Sequence, residues 1–301
     1  MAEAAATQRI SEAGRGHLAM LCFSALVAGS FALGGMAAPF VDPAALTALR
    51  FALSAAMLWA VALAMGQVDA RVLAAPWRYA VLAGLYALYF VLMFEGLKTA
   101  DPVSMAAVFT LNPALTACFG WLVLRQVTSP WMAGAIAVGA TGAIWVIFEA
   151  DLAALRAFEI GRGEFVYFWG CVGHALYIPL IAKLSRGEPA LAFSAAVLTA
   201  GALILFVWAW EAIRSTDWMA MPGIVWITLI YVAVAATGLT FLILRYAALR
   251  IPSAKVMAYT YLTPTWVIGW QAALGHGVPP ALVLPGIALT CVALLMLLRN
   301  R

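Results

Sequence analysis

Apolar residues run through this chain in long stretches parted by short polar ones, without the strict alternation of a half-buried strand. Ten runs stand out, at 17–38, 44–66, 77–95, 102–123, 130–149, 164–183, 189–210, 222–244, 253–273 and 279–298. A spanning helix needs about 20 mainly apolar residues, so each run is predicted to be a transmembrane helix. The connections are too short to hold a soluble domain. Pro43, Pro76, Pro102, Pro130, Pro189, Pro222, Pro252 and Pro279 stand at the starts of runs, where a missing amide N–H is not missed. The polar tail 1–16 leads directly into the first run, and no signal-peptide cleavage site follows it, so the first span is expected to be retained.

Composition agrees with the pattern. Of 301 residues, 66% are apolar and only 10% charged, against about 25% charged in soluble domains; the mean hydropathy is +1.00. Twelve of the 17 Lys and Arg residues fall on the side of the two termini, and five (Arg50, Lys98, Arg156, Arg162, Arg214) on the other. By the positive-inside rule both termini are cytoplasmic. The net charge of +4 is accounted for by this asymmetry, leaving nothing for a nucleic-acid partner to explain. Cys22, Cys118, Cys171 and Cys291 lie inside spans without metal-ligand spacing, so they read as small apolar filler, with no metal and no cofactor.

Two runs are interrupted. "VFTLNPALTA" (108–117) and "YTYLTPTWVI" (259–268) place Pro113 and Pro264 inside apolar helices. Laying 96–146 over 248–297 puts Leu97-Lys98 on Leu249-Arg250, Pro113 on Pro264, and Pro130 near Pro279 and Pro280, with one gap. Five spans per half is odd, so the second half enters from the opposite side. The predicted fold is an all-α polytopic membrane protein of ten helices in two inverted five-helix repeats. Its divisions are a tail (1–16), a first repeat (17–149), an outer linker (150–163), a second repeat (164–298) and a tail (299–301).

These residues, together with "ALTALRFALSAAML" (44–57) and its Arg after the second-span start, resemble the EamA-type module of the drug/metabolite transporter superfamily. The resemblance runs from His17 to Leu298, and within the superfamily it looks most like the YddG-type aromatic amino acid exporters. Many such modules carry a Gly-Glu pair between the last two spans of each half; here those places read Arg125-Gln126 and His276-Gly277. The resemblance implies an exporter of the inner membrane working by alternating access. The partners expected are a small-molecule solute and membrane lipid, and an oligomer is not required, since ten spans can enclose a cavity within a single chain.

Ionisable residues inside a membrane mark function, and no Asp, Glu, Lys or Arg is expected near the middle of any span. A sugar-phosphate carrier would want a central cation, and a multidrug cation exporter a buried carboxylate. A neutral or zwitterionic solute fits best. Tyr79, Tyr86, Tyr89, Phe90 and Met93 share one helical stripe, and Tyr167, Gly170, His174 and Tyr177 another. Tyr79 and Tyr167, near span ends, read as interface anchors. Tyr86, Tyr89, Phe90, His174 and Tyr177 are candidate substrate contacts, with Trp169, Tyr259 and Tyr261 as weaker ones; packing between helices is the alternative for each.

Pro113 would free the carbonyl of Phe109, and Pro264 that of Thr260, for a substrate ammonium; a plain packing kink, with the carbonyl satisfied by Ser, Thr or water, is the alternative. Asn112 could bond either end of a zwitterion, and the two prolines are candidate hinges. Ala135, Gly139 and Ala143 form a small-residue face for close helix contact. His174 is the only titratable mid-depth group of the kind a proton cycle needs, so facilitated efflux without obligatory proton coupling is expected. The open alternative is export of other small metabolites or amphiphilic drugs, possibly proton-coupled. A membrane-embedded enzyme is the distant one: His17, His174 and His276 are scattered, and neither HExxH nor GxSxG occurs.

Overall fold

The computed structural model describes residues 11–157, 159–248, 250, 251, 256 and 258–299. Leu249 of the repeat alignment, the run-start Pro252, and Arg9, Lys255 and Arg301 of the twelve cations on the side of the termini lie outside them. No strand occurs among the described residues. The first half contains α1 (Glu12–Ala37), α2 (Pro43–Ala64), α3 (Trp77–Gly96), α4 (Pro102–Phe109), α5 (Asn112–Leu124) and α6 (Pro130–Ile147). After a short α7 (Leu152–Ala157), the second half contains α8 (Arg162–Leu184), α9 (Ala190–Trp208), a short α10 (Trp210–Ser215), α11 (Gly223–Ile230), a π-helical segment (Tyr231–Leu239) and α12 (Thr240–Ala248). A 3-10 turn (Tyr259–Leu262), α13 (Thr263–Ala273) and α14 (Leu284–Arg299) complete it.

Among the described residues nine helical stretches are long and apolar enough to cross a membrane. The remaining predicted run, 253–273, is the one that includes undescribed positions, 253–255 and 257, before α13. Helix starts follow local chemistry. Asp42, Asp101 and Ser129 accept backbone N–H groups of the first turn, and Pro43, Pro102 and Pro130 follow them directly, the arrangement that satisfies donors with no intrahelical partner.

The contacts between helices have a two-fold logic. α2 packs on α9, and α6 on α14, each helix meeting its counterpart in the other half. The remaining large contacts come in exchanged pairs: α3 with α8 and α12 with α1, then α5 with α8 and α13 with α1. This is the packing expected when two similar five-span units enclose a common space. At the α6–α14 contact Gly142 faces Gly286; a Cβ on Gly142 would lie 2.5 Å from the Gly286 carbonyl oxygen. Ala135 and Ala143 are buried beside it, as the small-residue face predicts.

Two aromatic assignments are corrected. Tyr167 is wholly buried and its hydroxyl donates to that of Tyr89 at 3.1 Å. Tyr79 is buried against Phe193, and its hydroxyl lies 3.4 Å from a Glu188 carboxylate oxygen. Neither is an interface anchor, because each lies on the face of its helix that meets the other half.

Candidate functional site

A cavity of about 230 Å³ lies between the halves. α3 contributes Tyr86, Tyr89, Phe90 and Met93, α8 contributes His174 and Tyr177, and the break between α4 and α5 contributes Phe109 and Asn112. Part of each stripe faces the cavity, while Tyr79, Tyr167 and Gly170 do not line it. Tyr177, Tyr86 and Tyr89 form a row of nearly parallel rings, with centroids 4.9 Å and 6.4 Å apart and planes within 13° and 14°. His174 lies 4.6 Å from the Tyr89 ring, and Phe90 meets both Tyr86 and Tyr89 edge to face at 4.7 Å. Aromatic faces with polar tips can hold a flat apolar group and also bond its substituents.

The lining extends through Ile178 and Ile181 near the end of α8 and through Ser194 near the start of α9. It therefore reaches the end of the bundle where α8 gives way to α9. At the opposite end α3 and α8 close together, with Gly96 and Gly163 so near that a Cβ on Gly96 would lie 2.7 Å from the Gly163 carbonyl oxygen. Glu164 accepts a bond from Ser104 there at 2.8 Å.

Asn112 organises the break at Pro113. Its Nδ2 donates to the Phe109 carbonyl at 3.0 Å, and its Oδ1 lies 3.4 Å from His174 Nδ1. With the amide oriented by the first contact, the second needs a proton on Nδ1, which leaves Nε2 as an acceptor. The proposed vacant carbonyls are corrected by this geometry. The Phe109 oxygen is taken by Asn112, and the Thr260 oxygen accepts the backbone N–H of Thr263 in the 3-10 turn. Both prolines sit in the first turn of a new helix, α5 or α13, where the lost N–H matters least.

Three weaker candidates do not reach the cavity. Trp169 is half exposed on the outside of α8, against Phe168. The Tyr259 hydroxyl pairs with His17 Nδ1 at 2.8 Å, and the Tyr261 ring is buried against Gly139. Thr260, between them, is the one that lines the cavity, because neighbouring side chains in a tight turn point apart.

The largest correction is Arg50. Counted from sequence among the cations of the side opposite the termini, it is 1% exposed and lines the cavity. Its Nε and Nη2 donate to Thr237 Oγ1 at 3.1 Å and 2.9 Å, and its guanidinium carbon lies 3.6 Å from the centre of the Phe90 ring. Thr237 belongs to the π segment and passes its own proton to the Val232 carbonyl at 2.8 Å, while Ser54 bonds the Ala233 carbonyl at 3.1 Å. Wide π turns leave carbonyls for such partners and are frequent at functional sites. The signal available in sequence was Arg50 itself, seven residues beyond Pro43 and so more than one turn inside the apolar run.

A helical membrane bundle in which both halves wall one central cavity is the build of a membrane transporter of small molecules. The sequence profile of the EamA-like transporter family matches residues 14–148 and again 161–299, and the chain belongs to that family. It is 25% identical over 262 residues to the uncharacterized transporter YyaM of Bacillus subtilis (strain 168), covering 86% of each protein. Its fold is similar to that of a solved crystal structure at 20% identity, with a TM-score of 0.66, over 96% of this chain and 97% of the other.

Proposed function

We propose that this transporter exports amino acids, with aromatic and other neutral or zwitterionic small metabolites, across the inner membrane by alternating access. The observation that carries the reading is the row of Tyr177, Tyr86 and Tyr89 with His174 beside it, a wall suited to a flat or apolar side chain. A cavity of about 230 Å³ favours a small metabolite over an amphiphilic drug, since drug-sized ligands occupy pockets of roughly 300–1,000 Å³. Both termini are cytoplasmic in this reading, so the cavity reaches the cytoplasmic end and the Gly96–Gly163 contact closes the outer one. The direction follows from the resemblance to aromatic amino acid exporters.

Pro113 and Pro264 act as hinges, because chain breaks at matched places in the two halves let short helices reorient without dismantling the bundle. Transport is uniport down the solute gradient. His174 is the one histidine in a cavity lining that holds no Asp, Glu or Lys among the described residues, and its Nδ1 faces the neutral amide of Asn112. The test is flux of labelled phenylalanine into liposomes holding only this protein, with no ion gradient. Flux above protein-free liposomes is expected; flux that appears only with a proton gradient would overturn uniport, and none under either condition would overturn the substrate class.

A further inference from the structure

Arg50 has a feature that packing does not explain. It is a buried cation with no ion pair among the described residues. Its Nη1 has no hydrogen-bond partner. Its other two nitrogens rest on a neutral hydroxyl, although a guanidinium is shaped to hold a carboxylate through two parallel bonds. A charge removed from water is costly unless paired, and here, among the described residues, it meets Thr237 and the face of Phe90. Phe90 is also packed against Tyr86 and Tyr89, so the cation stands one ring away from the aromatic row.

We propose that Arg50 is the anchor for a carboxylate on the transported solute, and that the substrate class is therefore a small acid bearing an aromatic or apolar body. The body lies along Tyr86, Tyr89 and Tyr177 while the acid group engages the unpartnered side of the guanidinium. Thr237 and Phe90 hold that guanidinium in place before the solute arrives, which reduces the ordering needed on binding. A solute lacking the acid would leave the cation unpaired and bind weakly. This inference rests on solute entering the cavity described under Proposed function, and it adds that a negative charge is required there.

The test uses purified full-length protein in lipid nanodiscs and measures binding of 3-phenylpropanoate and 3-phenylpropanamide, which differ in charge but hardly in shape. The wild type is expected to bind the acid about tenfold or more tighter than the amide, the scale of a charge-assisted bond. Arg50→Gln should remove that preference by weakening the acid alone, and Arg50→Lys should retain part of it. A purely structural Arg50 would instead weaken both ligands together, or neither. Equal binding of acid and amide by the wild type would overturn the proposal while leaving the cavity reading standing, and needs no variant to fold. Preference for the acid that survives Arg50→Gln would also overturn it. Binding of neither ligand by protein that binds phenylalanine would overturn the proposal alone, and failure to bind phenylalanine as well would overturn both readings.

Discussion

The side chain of Asn112 occupies the Phe109 carbonyl at 3.0 Å, so the bond that Pro113 cannot make is replaced one residue earlier by an amide. The same amide faces His174 on α8. One polar residue thus ties the helix break to the opposite wall of the cavity.

Asn112→Ala should leave a buried carbonyl and an imidazole N–H without partners. An unsatisfied buried group costs about 1–3 kcal/mol, so the thermal midpoint in detergent should fall, and phenylalanine flux with it. Pro113→Ala, which restores a backbone donor toward Phe109, should leave the midpoint unchanged or higher and slow the flux. Unimpaired flux in Pro113→Ala would remove the hinge role.

The aromatic row predicts a separation between inner and outer positions. Loss of an aromatic partner costs roughly 0.5–1.5 kcal/mol beyond area, so Tyr86→Ala and Tyr89→Ala should weaken phenylalanine binding by at least a few fold. Trp169→Ala, on the outer face of α8, should leave affinity unchanged. Equilibrium binding in nanodiscs reads both, and an equal effect of Trp169→Ala would mean that the row is not the site.

Arg78 and Glu188 form a buried ion pair at 2.6 Å, with Arg78 also bonding the carbonyls of Ala74, Ala75 and Leu184. It fastens the start of α3 to the loop between α8 and α9. Removing one partner of such a pair costs about 3–5 kcal/mol, so Arg78→Ala should greatly lower thermal stability. Replacing both by apolar residues of similar volume should restore much of the loss.

The same carboxylate sets a pH dependence. Burial works against ionised Glu188, but bonds from the Arg186 backbone N–H and the Arg78 guanidinium outweigh it and hold the carboxyl below its ordinary range. Its contribution is therefore complete above the unfolded value, about 4.3, and is lost as pH falls through the lower folded value. The wild-type advantage over Glu188→Gln in thermal midpoint should be constant near neutrality and shrink only at pH values below about 4. An advantage that shrank between pH 8 and 6 would contradict this assignment.

At the α6–α14 contact, Gly142→Ala should destabilise by roughly 1–3 kcal/mol, because the new methyl meets a backbone carbonyl that cannot turn aside. Gly84→Ala on α3, where no atom lies within 4 Å of the added carbon, should be neutral or stabilising. Thermal unfolding of the two variants side by side tests the packing.

Much of this protein was legible along the chain because a membrane helix is specified locally. Apolar run length, first-turn prolines and the Asn112-Pro113 break needed only neighbouring residues to be read, and the periodicity of Tyr86, Tyr89, His174 and Tyr177 brought them into one cavity. The direction a side chain faces across the bundle is not local. Trp169 shares a helix with His174 yet points outward, and Tyr167 sits near a span end yet is wholly enclosed. Arg50 shows the limit most clearly. Its sequence neighbours describe an Arg near the start of a span, but its burial depends on Phe90 and on a Thr237 that is 187 residues away. The sequence by itself determined the membrane class, the spans and the aromatic stripes, since these follow from local hydrophobicity and helical repeat. Only the tertiary structure decided that a cation with no ion pair among the described residues stands in the cavity wall, because pairing and desolvation are settled between helices distant in sequence.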